Sequence, residues 1–275
     1  MTQSILITGC STGIGYTCAH ALNKQGFKVI ASCRSQDDVK RLESEGLTCI
    51  HLDLTDTDSI NNGVEKAIQL AGGKLSAVFN NGAYGQPGAL EDLPTDALRE
   101  QFESNFFGWH QLIRQVMPHF RAQGEGRIIQ NSSVLGFAAM KYRGAYNASK
   151  FALEGWTDTI RLELHNTNIH ISLIEPGPIE TQFRANALTA FQKWINVTNS
   201  PHKEQYELQM QRLGKDSSNN SFVLPPESCI SPLVHALTAP KPKLRYRVTT
   251  PTKVFAVLKR LLPGRILDSI LRKAA

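Results

Sequence analysis

Tyr146-Asn147-Ala148-Ser149-Lys150 sets a phenol and an ammonium four residues apart, a spacing that one helical face brings together. A free tyrosine titrates near 10, too high to trade protons readily at neutral pH. A cation held beside it favours the phenolate and lowers that value. The pair is therefore read as a proton-transfer couple in which Lys150 depresses the pKa of Tyr146. The same two residues also make an ordinary solvated helix face, so the weight of the reading rests on what surrounds them.

The rest of the chain supplies a nucleotide. Thr8-Gly9-Cys10-Ser11-Thr12-Gly13-Ile14-Gly15 follows the first apolar run and opens a helical pattern. Glycines there let the backbone turn tightly and approach a pyrophosphate, which the free N–H groups of a helix start would bind. Gly9, Ser11, Thr12, Gly13, Ile14 and Gly15 are the candidate cradle, in preference to a plain βα turn. An acid at the end of the second strand would select the ribose 2′-hydroxyl of NAD, a base the 2′-phosphate of NADP. The chain has Ser32-Cys33-Arg34 there, with no acid before Asp37. Arg34 can fork onto a phosphate, so NADP(H) is expected. Asp53 and Leu54 after the third strand, and Asn81 and Gly82 after the fourth, fall where the adenine should lie. Asp53 serves equally well as a turn or helix-capping residue.

The elements that must position these groups alternate. Ser4–Thr8, Lys28–Cys33, Thr48–Leu52, Leu75–Asn80, Gly126–Ser132, Ile169–Glu175 and Leu244–Thr249 read as strands. Helical stretches fall at Gly13–Gln25, around Ile60 to Ala71 and around Tyr146. A long helix is expected from Thr95 to Ala122, kinked or ended at Pro118. This order specifies a single α/β domain over residues 1–275: a Rossmann-type, doubly wound parallel sheet of about seven strands with helices on both faces. After Pro176-Gly177-Pro178 the pattern turns polar and irregular, and residues 181–224 are read as a substrate lid. Residues 251–275 read as a tail of two amphipathic helices broken at Pro263-Gly264.

Bulk properties narrow the class. The chain has 275 residues, 41% hydrophobic and 20% charged, ordinary for a globular protein. Five scattered cysteines and no export signal point to reduced thiols and a cytoplasmic setting. No apolar run nears the length of a membrane span. From Lys241 onward ten basic residues face one acid, Asp268, a net +9 within a whole-chain net of +6. The charge is local to the C-terminus, which excludes a generally basic nucleic-acid binder. The eight histidines form no HxxxH or HExxH pair, and no metal site is expected.

In chain order Asn105, Ser133, Tyr146 and Lys150, with the Thr8–Gly15 loop and Pro176-Gly177, the sequence resembles the short-chain dehydrogenase/reductase family. It is similar to bacterial NADP-dependent aldehyde reductases. Asn105-Phe-Phe-Gly108, Tyr146–Glu154 and Glu175-Pro-Gly-Pro178 are also similar to hydroxysteroid and retinol dehydrogenases. The resemblance implies a catalytic set. Tyr146 is the general acid in reduction and the base in oxidation, and Lys150 tunes it and holds the nicotinamide ribose. Ser133 polarises the substrate carbonyl. Asn105 holds a water leading from Lys150 to solvent. Ile179 and Thr181 match positions that contact the nicotinamide, beside Pro176 and Gly177. Ser132 is the rival to Ser133, since strand alternation sends the two hydroxyls to opposite faces. The family's Asn-Asn-Ala-Gly appears here as Asn80-Asn81-Gly82-Ala83, which puts the fine geometry of the adenine pocket in question.

A small-molecule carbonyl or alcohol substrate follows, and Phe183, Phe191, Trp194, Tyr206 and Met210, with Phe137, Met140 and Tyr142, favour a medium to bulky apolar one. The alternatives are a reductase for carrier-bound 3-oxoacyl groups, a hydroxysteroid or retinol dehydrogenase, and a non-enzymatic NADP(H) sensor. The resemblance implies a homodimer or homotetramer built on the two long helices. The tail is expected to dock on its own domain or a partner subunit, with weak contact to an anionic membrane surface as the alternative.

Overall fold

The computed structural model describes residues 3–214 and 221–273. Seven strands form one parallel sheet: β1 (Ser4–Ile7), β2 (Lys28–Cys33), β3 (Thr48–His51), β4 (Ala77–Asn80), β5 (Glu125–Asn131), β6 (Asn168–Glu175) and β7 (Arg245–Arg247). Their order is β3-β2-β1-β4-β5-β6-β7, and every pairing is parallel. The chain winds outward from β1 to β3 and then restarts on the other side of β1 with β4. A crevice therefore opens at the carboxyl ends of β1 and β4, the switch point where such sheets bind ligands.

Alternation along each strand splits the core in two. Ile5, Ile7, Val29, Ala31 and Phe79 face α1 (Gly13–Lys24), α2 (Gln36–Ser44) and α9 (Ile230–Thr238). Leu6, Ile30, Val78 and Ile128 face α3 (Thr57–Leu70), α5 (Gly108–Gln123) and α6 (Gly144–Glu163). Strands buried on both faces need the continuous apolar runs that the sequence carries. Short polar side chains cap α2 and α3. The Ser35 hydroxyl accepts from the Asp37 amide at 3.2 Å, and Asp56 accepts from the Asp58 and Ser59 amides at 2.8 and 3.0 Å, each capping otherwise unpaired donors.

Two expectations need correction. The helix read from Thr95 to Ala122 is α4 (Thr95–Phe102), a π-helical turn Glu103–Phe107, then α5. Pro118 does not end it; α5 runs on to Gln123 and stops where Gly124 takes φ 78°. Glycine enters that left-handed cap without strain, so it and not proline sets the end. The lid is not irregular either. It contains α7 (Phe183–Trp194) and α8 (Lys203–Leu213); residues 215–220 of the predicted lid lie outside the described residues. The tail forms α10 (Thr250–Leu261) and α11 (Gly264–Lys273).

The lid helices are clamped to the loop after β4. Phe191, Ile195 and Tyr206 pack on Ala89. The fully buried Tyr206 hydroxyl donates to Asp92 Oδ2 at 2.5 Å and accepts from the Ala89 amide at 2.9 Å. Tyr206→Phe strands that amide without an acceptor, a loss of about 1–3 kcal/mol. Hydrogen exchange should quicken along α8 and around Ala89; unchanged exchange there would show that the clamp carries no weight.

Candidate active site

Helix α6 carries both members of the candidate proton-transfer pair. Its first turn follows Tyr142, a non-glycine residue at φ 58°, and Gly144 lets the Leu90 side chain lie against it, since a Cβ there would meet Leu90 Cδ2 at 2.3 Å. Tyr146 and Lys150 lie one helical turn apart and both are buried. The Lys150 ammonium donates to the Asn131 carbonyl at 2.7 Å and sits 4.2 Å above the centre of the Trp109 ring. It lies 5.7 Å from the centre of the Tyr146 ring.

The electrostatics differ from the sequence expectation. Burial pushes the Tyr146 phenol up to about 12, against a smaller pull downward from the Ser133 hydroxyl. Burial also lowers Lys150 to about 7, with the Glu154 carboxylate opposing. Lys150 does not depress Tyr146 here. The same desolvation that raises the phenol strips the ammonium of its preference for charge, and the ammonium is engaged by Asn131 and Trp109.

The two serines diverge as strand alternation requires. The Ser133 hydroxyl acts on Tyr146 and accepts from the Leu135 amide at 3.1 Å. The Ser132 hydroxyl instead faces the Glu154 carboxyl across Gly136. Ser133 is held in place by the strand ends: the Val134 amide donates to the Pro176 carbonyl at 2.8 Å. Asn105 lies in the π-helical turn, wholly buried. It pairs with the Tyr84 backbone in both directions, donating to the carbonyl at 2.8 Å and accepting from the amide at 3.2 Å. Its side chain thereby fixes the loop that leaves β4, and a π-turn at such a point is a recurrent feature of functional sites. Phe183, from the start of α7, covers Tyr146 edge-on at 5.3 Å between ring centres.

Trp109 and Asn131 are site residues that the sequence reading did not single out. Asn131 immediately precedes Ser132-Ser133, and Trp109 lies four residues past Asn105, the spacing of one helical face. That spacing was the available signal.

At the other end of the crevice the glycine turn is built for a close approach. Gly9 and Gly13 take φ 66° and 61°. A Cβ on Gly9 would lie 2.5 Å from the Gly82 Cα, and one on Gly15 2.3 Å from the Gly9 carbonyl oxygen. Thr12 starts α1 without a side-chain cap, so the helix's first amides stay open to an anion. Ile14 packs into the core, and the Ser11 carbonyl accepts from Arg41 at 2.7 Å. Arg34 is exposed at the end of β2 and makes no hydrogen bond or ion pair among the described residues. The swapped Gly82-Ala83 pair needs no special backbone, since neither residue has positive φ. A Cβ at Gly82 would sit 3.1 Å from Leu54 Cδ1, so the exchange is a matter of packing. Asp53 accepts from the Thr55 amide and hydroxyl at 2.9 and 2.8 Å; Asp56, not Asp53, caps α3. Asn81 donates to the Thr8 and Gly9 carbonyls at 3.0 and 3.2 Å. Thr181 packs on Gly13, Ile179 bridges to Leu224, and Gly177 presses so closely on Thr249 that a Cβ would lie 2.1 Å from its hydroxyl. A glycine cradle, an uncapped helix start and an exposed guanidinium fit a dinucleotide phosphate.

The family model for the short chain dehydrogenases matches residues 3–191, and the chain belongs to that family of oxidoreductases. It is 42% identical to the uncharacterized oxidoreductase YbbO of Escherichia coli, over 99% of this chain and 95% of that protein. It is 30% identical to retinol dehydrogenase 8 of Bos taurus, over 95% of this chain and 86% of the relative. A solved short-chain dehydrogenase/reductase from Burkholderia phymatum, in complex with NAD, superimposes with a TM-score of 0.79 at 21% identity, covering 98% of this chain and 95% of that one.

A buried lysine has a testable cost. Its lowered pKa means that the fold favours neutral Lys150. The penalty for holding it charged is full below pH 7 and fades as pH rises toward 10.5. At about 1.4 kcal/mol per unit, and after loss of the Asn131 bond, Lys150→Met should stabilise the cofactor-free protein by about 2 kcal/mol at pH 6. The gain should shrink above pH 8. Urea melts at both pH values check this; a variant less stable at pH 6 contradicts it.

Proposed function

We propose that this protein is an NADP(H)-dependent reductase of apolar aldehydes or ketones, with Tyr146 supplying the proton. The observation that carries the proposal is the Ser133–Tyr146–Lys150 corner. Two buried hydroxyls converge, backed by the Lys150 side chain, at the carboxyl end of the sheet and beside a candidate dinucleotide cradle. When bound, the nicotinamide would supply the hydride. The remaining tasks fall to the chain. Ser133 and Tyr146 donate to the carbonyl oxygen as negative charge builds on it, and the low-dielectric surroundings strengthen both contacts. Tyr146, with a pKa of about 12, stays protonated through the physiological range and is an acid ready for the alkoxide. Lys150, near 7, is the group able to exchange protons with solvent and restore the phenol. Asn105 braces the loop that faces them.

Preference for NADP(H) follows from Arg34, free at the end of β2 with no acid beside it. An apolar substrate is supported by Phe183 over Tyr146 and by the relative named for retinol. Phe191, Tyr206 and Met210 belong instead to the packing of the lid, so they do not define the pocket. The retinol or hydroxysteroid oxidation reading keeps the same residues with the proton flow reversed. The intact set of donors disfavours the sensor.

Turnover with long-chain aldehydes should show at least a tenfold lower KM for NADPH than for NADH, and Arg34→Ala should remove most of that difference. Equal use of both cofactors, or a preference for NADH, would refute the assignment. Separately, Ser133→Ala should cut kcat by about 10²–10³, the scale of losing one oxyanion donor, while Ser132→Ala costs far less. If Ser132→Ala is the more damaging change, the roles are reversed.

A further inference from the structure

The function above leaves the basic tail unused, and the structure divides its charge into two parts. Arg245 and Arg247 in β7 are spent inside the domain. Arg245 pairs with Glu154, Asp158 and Glu175, and Arg247 with Glu175. Lys253, Arg260, Arg265 and Lys273, all on α10 and α11, are exposed and make no ion pair among the described residues. Helix α10 docks by one side only, burying Thr252 and Ala256 and laying Lys259 over the Phe151 ring at 4.6 Å. Its outer side carries Val254, Val257 and Leu261, exposed by 46%, 51% and 73%. These sit at i, i+3 and i+7, a single apolar stripe flanked by Lys253 and Arg260. On α11, Ile266, Leu267, Ile270 and Leu271 share a face, with Ile266 exposed and the other three half-buried. Asp268 is the only acid of the two helices. The inner side of α10 thus packs on the domain, while Val254, Val257, Leu261 and Ile266 stay exposed.

We propose that the outer face of α10 and α11 is a membrane-surface patch that holds this protein against anionic bilayers. An apolar stripe rimmed by cations matches such an interface, where the acyl boundary takes the apolar side chains and the headgroups take the charge. A second copy is opposed by its own charge, since the same cations would meet across a twofold axis. The patch is also joined to the catalytic floor, because Thr249 and Thr252 at the start of α10 press on Gly177. The inference does not depend on the reductase reading, since binding is measured without substrate.

The test is flotation of the full chain with vesicles of phosphatidylcholine alone and of phosphatidylcholine with one third phosphatidylglycerol, at low and high salt. Binding is expected on the anionic vesicles alone and should weaken with salt. Lys253→Glu, Arg260→Glu and Arg265→Glu combined should lower it by tenfold or more, since each cation counts for roughly fivefold. Val254→Ser, Val257→Ser and Leu261→Ser combined should do the same. All six positions are exposed and outside the candidate active site, so an unchanged far-UV circular dichroism spectrum and melting temperature serve as the check on folding. Absence of binding to anionic vesicles at low salt, or binding unchanged by both variants, overturns the proposal. So does a halving of the solution mass in the serine variant, which would assign the face to a second copy. Retention on immobilised polyglutamate without vesicle binding would assign it to an acidic protein.

Discussion

An ammonium withdrawn from water governs the architecture of the site. Lys150 is held by the Asn131 carbonyl and the Trp109 ring face, and each of these partners is itself fixed. The Asn131 side chain donates to Asn81 at 2.8 Å, and Asn81 donates to the carbonyls of Thr8 and Gly9. The Trp109 indole donates to the Gly82 carbonyl at 2.9 Å, while the Gly82 amide donates to the Thr8 hydroxyl at 3.1 Å. The circuit therefore closes on the glycine turn. One set of hydrogen bonds positions both Lys150 and the glycine turn, so displacement of one end is felt at the other.

A second electrostatic layer lies beneath. Glu154, one turn beyond Lys150, is buried and its carboxyl is raised by desolvation; Glu175 is raised to about 7 by burial and by Glu154. Arg245 bridges these acids and Asp158, tying β7 to α6 and β6. Buried charges of this kind give little net stability, yet removing one partner leaves the others uncompensated. Their consequence here is positional. They fix β7, hence Thr249 and the start of α10, against Gly177 at the catalytic floor.

The fold and the chemical groups were legible where the signal is local. Apolar runs gave the seven strands, Gly9, Gly13 and Gly15 the cradle, and the spacing of Ser133, Tyr146 and Lys150 the pair and its partner. What escaped depends on contacts between distant segments. The π-turn at Asn105 is set by pairing with Tyr84, a residue of another loop. The lid helices are short and polar, and take their shape from Tyr206 and Phe191 seating on Ala89. The direction of the Tyr146 shift could not be read from a neighbouring lysine, because burial of both groups outweighs their attraction. Pro118 does not end α5, because packing of Leu112, Val116 and Phe120 on either side carries the helix past it.

The central claim is that hydride and proton converge on one carbonyl at the Ser133–Tyr146–Lys150 corner. Deuterium tracing reads it directly: NADPH labelled at the nicotinamide C4 is turned over with a long-chain apolar aldehyde, and the product is examined by mass spectrometry. The account predicts one deuterium per alcohol, bonded to the former carbonyl carbon, from one of the two C4-labelled epimers only. Cofactor oxidised without deuterium in an alcohol product, or no consumption of either partner, would contradict it.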